Sequence, residues 1–129
     1  MAAENGYASE QYTIVTEDGY VSQLFRLPGK ISEAGAGTGG QIKKPAVLMM
    51  HGIECDMNFF TVNDAAVAPP YVLVEQGYDV WLGNNRGNRY ARGHTTLAPD
   101  SDEYWDFNQE QYGRYDVPAF IDHILEVTG

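Results

Sequence analysis

Two apolar runs with a short helix signal between them constrain this chain most. "AVLMM" fills positions 46 to 50 without a polar break, and "YDVWL" follows at 78 to 82. Continuous rather than alternating apolarity predicts strands covered on both faces, as in a parallel sheet. Between them, Pro69-Pro70 can open a helix that runs through Gln76, and Gly77 can close it. Strand, helix and strand in succession predict a right-handed parallel crossover, which places the chain in the α/β class.

The flanks add to this frame. "YTIVTEDGYVSQLFRL" reads as a hairpin, with strands over Tyr12 to Thr16 and Tyr20 to Leu27 around Glu17-Asp18-Gly19. Positions 1 to 11 are taken as an N-terminal tail. The glycine-rich stretch from Gly29 to Lys44 reads as a mobile surface loop, since no Gly-Lys-Ser/Thr and no helix pattern follow it to make a phosphate cradle. At the other end, Val117, Phe120, Ile121, Ile124 and Leu125 share one helical face, with Asp116 as the expected N-cap and Gly129 as the C-cap. At 129 residues and 43% hydrophobic content, the whole span 1 to 129 is expected to belong to a single domain.

Charge narrows the choice of partners. Eighteen acidic residues against 8 basic ones give a net charge of -10, a field that repels nucleic acid and anionic lipid. No apolar run is long enough to span a bilayer, and no basic, apolar leader opens the sequence. The single cysteine, Cys55, sits between Glu54 and Asp56, a setting that disfavours a thiolate nucleophile. Asp100, Asp102 and Glu103 cluster near Trp105 without recurrent ligand spacing, so they read as a solvated loop, and neither metal nor cofactor is expected. His94 and His123 have no serine or cysteine at a nucleophile position nearby and are read as structural.

Taken together, "VTEDGYVSQLFRLPG", "PAVLMMHGI", "QGYDVWLGNNRGNRYARGHTTLAPDSDEYWDF" and "YDVPAFIDHILEVTG" resemble the N-terminal portion of the acid lipase family, the gastric and lysosomal lipases of the α/β-hydrolase fold. The resemblance runs from about Tyr12 onward in family order and leaves only Gly29 to Lys44 unmatched. It implies the N-terminal part of an α/β-hydrolase fold: a hairpin, then parallel strands with crossover helices, in an incomplete sheet. It also implies that the backbone N–H of Ile53 is one of two donors to the oxyanion formed when a serine attacks an ester carbonyl, with His51 and Gly52 supporting that loop. Gly52 is expected there because a tight turn leaves no room for a Cβ.

The loop Gly83, Asn84, Arg86, Gly87 and Asn88 is expected to brace the site through the Arg86 fork, with Asn85 where the family has a small residue. No member of a Ser/Asp/His triad is expected in these residues, because Ser9, Ser22, Ser32 and Ser101 all lack a G-x-S-x-G context. The family places the nucleophile elbow on the strand after the helix that ends at Gly129, beside the strand of residues 46 to 50. The expected function is therefore the N-terminal part of a triacylglycerol lipase or sterol esterase, secreted or lysosomal, with residues 1 to 129 inactive alone. The alternative is a shortened non-catalytic module that binds a protein partner through an open sheet edge.

Overall fold

A computed structural model describes residues 2–33 and 43–129. Five strands, β1 (Glu10–Val15), β2 (Tyr20–Leu27), β3 (Ala46–Met50), β4 (Asp79–Gly83) and β5 (Gly93–His94), make one mixed sheet. The helices are α1 (Pro69–Glu75), α2 (Gln109–Gln111) and α3 (Val117–Thr128), with a π turn over Tyr112–Asp116 joining the last two. The expected loop from Gly29 to Lys44 falls largely on residues 34–42, outside the described residues; before them Ile31–Glu33 forms a 3-10 turn. Within the first eleven residues, Tyr7 is buried, bridges to Lys30 and stacks on Tyr71.

The expected hairpin forms, with β1 and β2 antiparallel from Glu10 opposite Arg26 to Val15 opposite Val21. Gly19, at φ +94°, makes its turn; a Cβ there would lie 2.6 Å from Thr95 Oγ1. The sheet order is β1-β2-β4-β3, with β5 added along the outer half of β2. β3 and β4 pair in parallel over all five residues across the α1 crossover, and Gly77, at φ +88°, closes α1 as its sequence position predicts.

The two parallel strands differ in burial, against expectation. All five residues of β4 are buried, but in β3 Ala46 is exposed and the other four are only half-buried. β4 lies between β2 and β3, whereas β3 ends the strand order and has no partner on its far edge among the described residues. The apolarity of "AVLMM" thus belongs to a strand whose cover the described residues do not supply.

Side chains alternate across β4 and feed two cores. Val80 and Leu82 join Tyr7, Leu27, Ala68, Tyr71 and Val74 beneath α1. Trp81 joins Ile14, Leu24, Phe120 and Ile124 beneath α3. Only Phe120 and Ile124 of the expected helical face are buried; Ile121 and Leu125 are exposed, so a narrower stripe of α3 meets the sheet. Asp116 is not the N-cap. The helical path starts earlier, at Asn108, whose side chain accepts from the Glu110 N–H while the Gln111 side chain accepts from the Asn108 N–H. Asp116 sits mid-helix with its carboxylate buried, because its partner is the cation of Arg86. Gly129, at φ +77°, does end the helix, donating its N–H to Leu125.

Candidate functional site

The loops leaving the carboxyl ends of β3 and β4 lie side by side and enclose a cleft of ≈620 Å³. One wall is His51 to Asp56, the other Asn85 to Arg89, and Trp105, Phe107 and Tyr112 complete it. Thus the structure brings together the two segments singled out from the sequence and adds three aromatic residues that periodicity does not mark. Of the smaller residues, Gly83 ends β4 beneath this cleft, where an added Cβ would meet Met50 Sδ at 2.3 Å.

The β4 loop is fastened throughout. Asn84 is fully buried: its Nδ2 donates to the Gln23 carbonyl at 2.8 Å, and its Oδ1 accepts from the Met57 N–H at 3.1 Å and from Asn88 Nδ2 at 3.0 Å. Its own carbonyl accepts from Ser22 Oγ. The Arg86 guanidinium grips two carboxylates, Asp116 through Nε and Nη2 at 2.9 and 2.7 Å and Asp18 through Nη1 and Nη2 at 2.6 and 2.9 Å. The Arg86 backbone N–H also donates to Asp116, and the guanidinium lies 3.8 Å over the Tyr20 ring.

Burial works against the charge on Arg86, but the two acids outweigh it and hold its pKa above the ordinary value. Burial also pushes Asp18 up, and there the Arg86 and Thr16 hydrogen bonds win, leaving its carboxyl below the usual range. At the more deeply buried Asp116, desolvation exceeds what Arg86 returns, and its pKa is raised. Gly87 has φ +87°, and a Cβ there would meet Trp105 at 2.9 Å and Phe107 at 3.0 Å, so glycine is required at this wall.

The β3 loop is open by comparison. His51 is buried, with Nε2 accepting from the Asn85 N–H at 3.1 Å and lying 3.0 Å from Asn88 Nδ2. Asn85 Nδ2 approaches the His51 carbonyl at 3.5 Å, while Asn85 Oδ1 is buried with no partner among the described residues. Ile53 is 61% exposed, and its backbone N–H has no hydrogen-bond partner among the described residues. Gly52 is not explained by a tight turn: its φ is not positive, and a Cβ would meet nothing within 4 Å among the described residues. The strained position is Glu54, the one non-glycine residue at positive φ among the described residues, at 59°. Asp56 anchors the far end, accepting from the Asn58 N–H and pairing with Arg89 across the cleft mouth at 2.6 Å.

The other sequence candidates lie elsewhere, except Cys55, which lines the cleft. His94 accepts from the Thr96 and Leu97 N–H groups, and His123 packs its ring on Tyr12. Ser22 is buried under Asn84, and Ser101 caps a 3-10 turn at Asp102–Trp105. Sequence reading missed Asp18 and Asp116 as the partners of Arg86, because one looked like a turn residue and the other like a helix cap. What lines the cleft is the Ile53 residue, whose backbone N–H has no partner among the described residues, together with the aromatic side chains of Trp105, Phe107 and Tyr112.

A family described as a partial α/β-hydrolase lipase region matches residues 1–64. Along its whole length the chain is 44% identical to Lipase 1 of Drosophila melanogaster, covering 27% of that protein. It is 39% identical to the gastric triacylglycerol lipase of Mus musculus, over 96% of this chain and 30% of that protein. The lysosomal acid lipase/cholesteryl ester hydrolase of Homo sapiens gives the same identity over the same shares, 39%, 96% and 30%. The chain therefore spans less than a third of the length of these relatives.

Proposed function

The chain belongs to the acid lipase family of α/β-hydrolases, as an N-terminal portion of its sequence, and from that premise we propose that it serves a lipid carboxylic-ester hydrolase as half of the oxyanion hole and the first half of the central sheet. The observation that carries this reading is the Ile53 N–H, without a partner among the described residues, in a loop that lines a cleft beyond the carboxyl ends of two parallel strands. A serine Oγ, supplied from outside residues 1–129, adds to the ester carbonyl carbon as its proton passes to a base. The π pair moves onto oxygen, and that oxyanion takes the Ile53 hydrogen bond until the alcohol leaves and an acyl-enzyme remains. A donor so placed is worth about 3 kcal/mol in the transition state. Triacylglycerols or sterol esters are the substrate class in this proposal, in a secreted or lysosomal setting, as the names of the relatives suggest. Residues 1–129 by themselves should turn over no ester, since attack and proton transfer are absent.

The test is a pair of variants in the natural protein that carries this chain. Ile53→Pro removes the N–H and should lower kcat by about a hundredfold or more. Ile53→Ala keeps the N–H and should cost at least about tenfold less than the proline. Equal losses, or a harmless proline, would sink the oxyanion reading. One observation favours a second reading, a non-catalytic module that binds a protein: the edge of β3, unpaired among the described residues. A natural protein without ester turnover that purifies with a stoichiometric partner protected along Ala46–Met50 would favour it.

A further inference from the structure

We infer that His51, held by Asn85 and Asn88, is a positioning residue that fixes the direction of the Ile53 N–H; this rests on the oxyanion reading above. Asn88 accepts the Tyr90 N–H on Oδ1 at 2.8 Å, so its Nδ2 is the donor, with one hydrogen for Asn84 Oδ1 and one for His51 Nε2. The Asn85 N–H donates to the same Nε2 at 3.1 Å. Neither group can accept a proton in return, so Nε2 carries the lone pair and the ring proton belongs on Nδ1. From Nδ1 it is donated to the Gly52 carbonyl at 2.8 Å.

That carbonyl and the Ile53 N–H are the two ends of one peptide unit. In a planar trans peptide they point in opposite directions, so a grip on the oxygen aims the hydrogen. A grip is needed because the peptide follows Gly52, where none of the described residues beyond its chain neighbours lies within 4 Å of a Cβ position and a peptide flip at glycine meets little resistance. Among the described residues only the Cys55 N–H, at 3.4 Å, shares the Gly52 oxygen. The hydrogen bond also polarises the unit, making its N–H a stronger donor. The Asn85–Asn88 segment therefore acts at a distance, through the tautomer of one ring.

Two measurements on the natural protein test this. In long-range proton–nitrogen spectra of the folded protein at neutral pH, the His51 ring should carry its proton on Nδ1 with Nε2 bare. In kinetics, His51→Ala should lower kcat by about a hundredfold with little change in KM, as for loss of an oxyanion donor. His51→Asn, which can place an amide N–H near the Nδ1 position, should recover at least about tenfold of that loss. Asn88→Asp replaces the donor with an acceptor; a variant whose spectrum shows the single ring proton moved to Nε2 should match His51→Ala. A wild-type ring protonated on Nε2 overturns the inference, as do equal kcat values for the alanine and asparagine variants. If the alanine variant does not fold, the wild-type spectrum decides. Loss of turnover in Ile53→Pro with none in an Asn88→Asp protein whose ring proton has left Nδ1 leaves the oxyanion reading standing and this one fallen. No loss in Ile53→Pro removes both.

Discussion

The loops that follow β3 and β4 start from neighbouring, parallel strand ends and are built in opposite ways. After β4, Asn84, Asn85 and Arg86 are buried, and apart from Asn85 Oδ1 their side-chain polar groups are engaged, on Gln23, Met57, Asp18, Asp116 and His51 among others. After β3, Gly52, Ile53 and Glu54 are exposed, and the Ile53 N–H is free among the described residues. The first loop has satisfied its donors to become a wall. The second keeps a donor in hand, which costs little at a solvent-facing cleft and has value only when an acceptor arrives.

Cutting the wall should have the largest effect. Arg86→Met leaves Asp18 and Asp116 without their cation and should cost about 3–5 kcal/mol, read as a lower urea midpoint; a loss under about 1 kcal/mol would mean the network is not what holds this loop. Next, the same substitution made in both loops should separate them. Gly87→Ala forces an alanine to φ +87° and against Trp105, costing about 1–2 kcal/mol from the backbone alone, whereas Gly52→Ala should stay within about 0.5 kcal/mol. Smaller still, Glu54→Gly should gain up to about 1 kcal/mol by relieving the left-handed backbone at φ 59°, so thermal unfolding at a higher temperature is expected.

The finest comparison is in acid. Burial raises the Asp18 pKa, but the Arg86 and Thr16 bonds lower it further, so the folded value lies below the unfolded one. Its stabilisation is then complete above the ordinary carboxylate range and fades as pH falls through the lowered folded-state value. Asp116, raised by burial, contributes the opposite slope. The difference between Asp18→Asn and the parent across an acid series of urea midpoints isolates the Asp18 part. A parallel pair of curves would refute it.

Much of the frame was legible because local chemistry and global order agree. Glu17-Asp18-Gly19 between β-rich runs makes the hairpin, and Pro69, Pro70 and Gly77 bound a helix between two strands, as found. What was hidden depends on contacts distant in sequence. "AVLMM" and "DVWLG" look alike as strings, yet among the described residues only the second has a strand on both sides. Asp116 has the type and place of an N-cap, and nothing local announces that Arg86, thirty positions earlier, claims its carboxylate. The adjacency of His51 and Gly52 was readable, but the ring's grip on the peptide beyond it depends on Asn85 and Asn88 arriving from the next loop.

The two tryptophans divide the molecule as an optical instrument would. Trp81 lies on β4 with no exposed surface, and Trp105 stands 43% exposed at the cleft. A neutral quencher should therefore dim Trp105 and spare Trp81, so that, of these two emitters, the blue one reports the sheet and the quenched red one reports the cleft. Occupancy of the cleft becomes visible without a label and without catalysis, as protection of Trp105 light alone.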